Sequence, residues 1–293
     1  MARTPARRWT VWSIPLAVVM LALGLLGLAP AAVAKPAAPA ATTAAGQSAA
    51  RSHDGVKPTV VLVHGAWADA SGWTDVVIRL QRAGYPVLAP PNPLRSLSGD
   101  AASVRAFLAT VPGPIVLVGH SYGGAVITNA ATGNPNVRAL VYVDAFVPDQ
   151  GEAVFPLVGP DSTLAVSDPT TVFDLRPYPG APAGDVDVYL KPAVVVSSFA
   201  QDLPRRTALA MAATQRPIAF SAGSEPSGAP AWRSIPSWYV IGTQDRIIPA
   251  AQQRFMAERA GAHIVEVRAS HVSMISKPAA VARVIVAAAR ATS

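Results

Sequence analysis

Ser121 stands in the run Gly119-His120-Ser121-Tyr122-Gly123, whose spacing places a hydroxyl on a tight turn. Before it lies Ile115-Val116-Leu117-Val118, an aliphatic run bounded by Pro112-Gly113-Pro114. After it, Ala125-Val126-Ile127-Thr128-Asn129-Ala130-Ala131 has the composition of a short helix. A serine held between a buried strand and a helix is pushed out of the sheet. Its hydroxyl is free to meet a base on one side and a substrate on the other. The turn strains the serine backbone and brings strand and helix backbones together, so a Cβ at Gly119 or Gly123 would clash.

A serine hydroxyl is a poor nucleophile without a base, and the chain has five histidines. His53 falls in a polar, low-complexity stretch. His120 is locked inside the turn, with its ring directed away from the hydroxyl. His263 opens a strand. His64 closes the first strand, where the N–H groups that follow matter more than its ring. His271 lies in a loop beyond the last strand, at the carboxyl edge of the sheet where ligands gather in open α/β folds. It is the candidate base. With an ordinary imidazole pKa, activity rises with pH between 5 and 8 as His271 loses its proton.

The base needs a carboxylate to fix its tautomer. Asp245, in Gly242-Thr243-Gln244-Asp245-Arg246, follows a strand whose loop neighbours that of His271 and has the turn residues to project a side chain. Asp144, at the end of the strand after the serine strand, is the alternative, and Asp245 is preferred. Two backbone N–H groups are placed to receive an oxyanion. One is that of Tyr122, at the head of a helix, and the other that of Ala66, after His64-Gly65.

These residues need a parallel sheet to hold them. Thr59-Val60-Val61-Leu62-Val63 reads as a strand buried on both faces. A helix over Gly72–Ala83, a short strand over Tyr85–Ala89 and a helix over Ala101–Thr110 precede the serine strand. Val137–Val143 is a fourth strand. Trp238–Gly242 and His263–Val267 are strands, and Pro249–Arg259 and Pro278–Arg290 helices. Strands alternating with helices predict an α/β fold, a mainly parallel sheet flanked by helices. Between about residues 147 and 235 proline is frequent and the periodicities are short and mixed. Pro204–Ala213 is the best helical piece there. The segment is too long for a plain connection and reads as an inserted cap.

The chain has 293 residues, 51% of them hydrophobic, enough for one α/β domain with an insertion. Residues 1–34 read as a signal peptide: basic Arg3, Arg7 and Arg8, an apolar run from Val11 to Leu28, and Ala32-Val33-Ala34 as a small-x-small cleavage site. A secreted or extracytoplasmic location follows, with membrane contact only through the leader if it stays on. Residues 35–57, rich in Ala, Pro, Thr and Ser, read as a disordered spacer. Residues 58–293 form the folded domain. The formal charge is +7; without the three leader arginines it is about +4. The remaining basic residues form no run and no aromatic-interleaved patch, which argues against nucleic-acid binding. No cysteine is present, so no disulfide or thiolate chemistry is possible. No His-Glu-x-x-His or Gly-x-Gly-x-x-Gly occurs, so neither a metal nor a nucleotide cofactor is implied.

At these residues the sequence resembles the α/β-hydrolase superfamily. Within it, the sequence is similar to the branch of small carboxylesterases that includes plant methylesterases, hydroxynitrile lyases and bacterial esterase-like proteins. The matching pieces are Val61–Trp67, Gly119–Gly124, Gly242–Asp245 and Ser270–Pro278. The resemblance implies Ser121 as nucleophile, His271 as base, Asp245 as acid, and Ala66 and Tyr122 as oxyanion donors. The order Ser, Asp, His along the chain is the superfamily's own. The lyases usually carry a threonine after the first histidine and a lysine after the catalytic one. Gly65 and Val272 stand there instead, which argues for ester hydrolysis over cyanohydrin cleavage. The implied function is that of a serine hydrolase cleaving a small carboxylic ester through an acyl-enzyme. The same triad could serve lactone hydrolysis, perhydrolysis or a lyase step, and a ligand-binding homologue could keep the fold without turnover. Trp67, Tyr122, Phe146, Phe155, Phe173 and Phe199 are the aromatic residues that could line its pocket.

Overall fold

The computed structural model describes residues 57–293. The leader and all of the spacer except Lys57 lie outside the described residues. Nine strands are present among them: β1 (Thr59–Val63), β2 (Val87–Leu88), β3 (Ile115–His120), β4 (Val137–Val143), β5 (Phe173–Arg176), β6 (Asp187–Leu190), β7 (Ile218–Ala219), β8 (Ser237–Gly242) and β9 (His263–Val267). The helices are α1 (Thr74–Arg82), α2 (Leu97–Leu108), α3 (Tyr122–Ala130), α4 (Pro192–Val194), α5 (Arg205–Thr214), α6 (Phe220–Ser224), α7 (Ala250–Arg259), α8 (Ser273–Ser276) and α9 (Pro278–Ala291).

Six strands form one sheet in the order β2-β1-β3-β4-β8-β9, and every neighbouring pair is parallel. The continuous aliphatic runs of β1 and β3 suit this, because both faces of the sheet are covered. Helices α1 and α9 pack together on one face, and α2 and α3 on the other. The fold is thus the α/β class anticipated, a mainly parallel sheet flanked by helices.

The chain runs from β1 outward to β2, then returns past β1 to β3 and continues the other way. The topological switch point therefore falls between β1 and β3, at the carboxyl edge of the sheet, where open α/β sheets bind ligands. The loops that follow β1, β3, β4, β8 and β9 all emerge on that edge. They carry Ala66, Ser121, Asp144, Asp245 and His271.

Helix α2 and strand β2 are among the elements whose bounds differ from the predicted ones. Helix α2 starts at Leu97, four residues before the predicted Ala101, because the Ser96 side chain caps it by accepting from Gly99 N–H at 3.1 Å. The predicted 85–89 strand contracts to Val87–Leu88, since its partner β1 offers register only to those two residues.

Between β4 and β8 the chain leaves the main sheet. Strands β5, β6 and β7 pair antiparallel into a small sheet of their own. Helix α4 runs into a wider π turn at Val195–Phe199, and α5 follows. Contacts tie this segment to the site loops. Trp67 Nε1–H donates to Val188 O at 2.8 Å, and Trp67 N–H to Arg216 O at 2.9 Å.

Candidate active site

The backbone itself marks the site. Four described non-glycine residues have positive φ: Trp67 (58°), Leu94 (61°), Ser121 (52°) and Asp144 (45°). Trp67, Ser121 and Asp144 sit just past β1, β3 and β4. Such conformations cost about 1–3 kcal/mol each and persist only where the surroundings over-determine them. At Ser121 the over-determination is visible. Its N–H donates to Val143 O, and its carbonyl accepts from Gly124 and Phe146 N–H. A Cβ on Gly119 would lie 2.6 Å from Gly123 O, so no other residue allows the strand and α3 to approach so closely.

The sharp turn delivers the Ser121 hydroxyl to His271, with Oγ 2.8 Å from Nε2. The other ring nitrogen, Nδ1, is 2.7 Å from Asp245 Oδ2. All three side chains are buried. A carboxylate accepts only, so Nδ1 carries the proton and Nε2 is left to accept the Ser121 O–H. Phe199 packs over the His271 ring with centroids 5.0 Å apart.

Asp245 is fixed before it meets the histidine. Its Oδ1 accepts from Ile247 N–H (2.7 Å) and Ile248 N–H (3.0 Å), and its Oδ2 from Gln253 Nε2 (2.7 Å). Asp144, the alternative, does not bond the imidazole. Its Oδ2 accepts from Ser273 N–H at 3.0 Å, and its Oδ1 has no hydrogen-bond partner among the described residues. Burial raises both carboxyls, and the charge of Asp245 raises Asp144 further. Hydrogen bonds from Ile248 and Ile247 N–H and from Gln253 oppose the effect of burial at Asp245, and those from Ser273 oppose it at Asp144.

The N–H groups of Ala66 and Tyr122 have no acceptor among the described residues. Gly65 makes their convergence possible, since a Cβ there would lie 2.7 Å from His120 O and from Ser121 Cβ. The His64 ring, set aside in the sequence reading, shapes this loop. Its Nδ1–H donates to Gly65 O (2.9 Å) and its Nε2 accepts from Asn92 N–H (3.0 Å). Asn92 Nδ2 in turn donates to His64 O at 2.9 Å. Burial lowers the His64 pKa, which suits a ring that must stay neutral to accept.

His120 does not bond the Ser121 hydroxyl. Its Nε2–H donates to the backbone carbonyl of His271 at 2.8 Å, and burial holds the ring neutral. His271 is thus anchored through its backbone as well as its ring. Asp202, in the segment between β4 and β8, adds a third anchor by accepting from Ser270 N–H (3.0 Å) and Ser270 Oγ. His263 is exposed on the edge strand β9.

Of the candidate pocket aromatics, Trp67, Tyr122, Phe146 and Phe155 line a cavity of about 20 Å³ against Ser121. The Tyr122 hydroxyl is turned to Asp100 Oδ2 at 2.8 Å, away from the hydroxyl of Ser121. Phe173 lines a larger neighbouring cavity and stacks on Trp67 at 5.8 Å.

Residues 60–284 match the model of the alpha/beta hydrolase family. The chain belongs to the alpha/beta hydrolase family. The superfamily resemblance read from four short motifs therefore extends across nearly the whole described domain. A carbendazim hydrolyzing esterase of Nocardioides sp. (strain SG-4G) is 39% identical over 111 residues, covering 33% of this chain and 46% of that protein. The match thus spans about half the length of that relative. The alpha/beta hydrolase nvfD of Aspergillus novofumigatus (strain IBT 16806) is 27% identical over 251 residues, covering 78% of this chain and 96% of that one. Among solved structures, polyneuridine aldehyde esterase superposes with a TM-score of 0.67 at 20% identity, covering 79% of this chain and 99% of that one. A likeness at that identity shows a shared hydrolase fold.

Proposed function

We propose that this alpha/beta hydrolase is a serine esterase that cleaves a small carboxylic ester through an acyl-enzyme. The observation that carries the reading is the buried chain Ser121 Oγ, His271 Nε2 and Nδ1, Asp245 Oδ2, with Ser121 lining one cavity together with Ala66 and Tyr122, whose N–H groups have no acceptor among the described residues. The esterase names of two similar proteins, the carbendazim hydrolyzing esterase and polyneuridine aldehyde esterase, support the same class.

In this mechanism Ser121 Oγ attacks the ester carbonyl as His271 Nε2 takes its proton. The carbonyl oxygen becomes an oxyanion held by Ala66 and Tyr122 N–H, donors already in place before reaction. Asp245 stabilises the imidazolium. His271 then hands the proton to the leaving alcohol, and water repeats the sequence to release the acid. Hydrolysis of p-nitrophenyl acetate in ¹⁸O-labelled water tests the reaction type. One labelled oxygen is expected in each acetate released. Acetate without label, or peracid as the main product in peroxide, would exclude ester hydrolysis as the native reaction.

The burial of His271 moves the pH window anticipated from the sequence. Burial pushes its pKa from 6.5 to about 3, while ionised Asp245 at 2.7 Å pulls the other way. The active form is the neutral base, and a depressed pKa keeps it neutral in more acidic solution. The acid limb of kcat/KM is therefore expected below pH 6.5, with activity held between there and pH 8. A limb with its midpoint at or above 6.5 would contradict this environment for the base.

A further inference from the structure

The cavity against Ser121 is too small for the reaction just described. About 20 Å³ holds roughly one water molecule, not the carbonyl and substituents of an ester. Beside it lies a cavity of about 390 Å³, within the usual size range of small-molecule sites. The two share three wall residues, Phe155, Val158 and Leu164. The larger chamber is walled otherwise by side chains such as Phe173, Leu175, Val188 and Phe220, nearly all of them apolar. It is built by the segment between β4 and β8, with β5 and β6 as one wall. Two of its residues are large apolar side chains left open to solvent, Leu175 at 45% and Phe220 at 49% exposed.

Phe155 is the aromatic part of the shared wall. It is half-buried and rests on Phe220, with ring centroids 5.5 Å apart. Its ring occupies the space that a side chain at position 223 would fill: a Cβ on Gly223 would lie 2.4 Å from Phe155 Cζ. The ring is thus seated over a glycine, with the tilted Phe220 ring beside it.

We propose that the 390 Å³ chamber is the acyl subsite of the Ser121 centre, that it takes an aliphatic or aromatic acyl group, and that Phe155 partitions it from the reacting hydroxyl. This inference rests on the serine-esterase reading. The acyl side is assigned because the leaving alcohol must lie within reach of His271 Nε2. The aromatic neighbours of the His271 ring are Phe199 and His120, neither of which walls the chamber. A substrate engages both spaces when the Phe155 ring rotates from the shared wall. The natural substrate class is then an ester of a medium-sized hydrophobic acid rather than of acetic acid.

The test compares kcat/KM for p-nitrophenyl acetate, butyrate, hexanoate and octanoate, in the wild type, in Phe155→Ala and in Leu175→Trp. Ratios between substrates within one enzyme cancel any loss of folded protein. In the wild type the ratio is expected to rise about fourfold per buried methylene until the chamber is filled. Leu175→Trp, which fills the chamber from its far wall, is expected to lower the octanoate-to-acetate ratio by about tenfold or more. Phe155→Ala is expected to raise it. A parallel series of alkyl acetates is expected to show no such change. Acetate turnover that depends on Ser121, with acyl ratios that both substitutions leave within about twofold, would overturn the subsite while sparing the esterase reading. A shift confined to the alkyl acetates would overturn the acyl assignment. No Ser121-dependent turnover of any ester would overturn the reading and this inference with it.

Discussion

Ser121→Ala is expected to lower kcat for p-nitrophenyl acetate by about 10⁴- to 10⁶-fold while the fold survives. The substitution removes one oxygen and one hydrogen bond, that to His271 Nε2. The backbone bonds that hold the turn, from Ser121 N–H to Val143 O and from Gly124 and Phe146 N–H to Ser121 O, do not involve the side chain. Loss of the nucleophile leaves the Ala66 and Tyr122 N–H groups in place, so a small residual rate from substrate binding remains. Steady-state kinetics alongside a thermal melt checks this. Full turnover in a folded Ser121→Ala protein would remove the hydroxyl from the chemistry.

Asp245→Asn is expected to cost about 10⁴-fold in kcat, and Asp144→Asn less than about tenfold. The asparagine oxygen at 245 can keep the bonds from Ile247 and Ile248 N–H. Its amide NH₂ then falls where Oδ2 stood, facing two donors, Gln253 Nε2 and His271 Nδ1–H. The imidazole answers by moving its proton to Nε2, and a protonated Nε2 cannot accept from Ser121. Burial, with the neighbouring Asp245 charge, pushes the Asp144 carboxyl well above the usual carboxylate range, which favours its neutral form. An amide of the same shape keeps the Ser273 N–H bond at that position. Equal losses from the two substitutions would mean that both carboxylates support the base.

The three interacting side chains are legible in the sequence because each ends a strand of a parallel sheet. Once the aliphatic runs are read as β1, β3, β8 and β9, the sheet delivers Ala66, Ser121, Asp245 and His271 to one edge. The preference for Asp245 over Asp144 rests on loop adjacency and on turn residues able to project a side chain. In the structure β8 and β9 are indeed neighbours, and Asp245 makes the imidazole bond. The shell behind these residues was not legible. Asn92 reaches His64 across 28 residues and Asp202 reaches Ser270 across 68, and no local pattern marks such pairs. Gln253 lies only eight residues from Asp245, but on a helix whose composition shows nothing of an inward-facing amide. The small antiparallel sheet was missed for a related reason. Its strands are four, four and two residues long, too short for a period-two pattern to emerge. The cavities are least legible of all, since Phe155 and Phe173 meet their partners only through the fold.

The central claim is that Ser121 becomes covalently acylated with His271 as its base. Intact-mass and peptide mass spectrometry after treatment with a fluorophosphonate tests it most directly. The account predicts a single adduct on the peptide carrying Ser121, absent from Ser121→Ala and slowed by orders of magnitude in His271→Ala. Stoichiometric labelling at another residue, or undiminished labelling in His271→Ala, would contradict it.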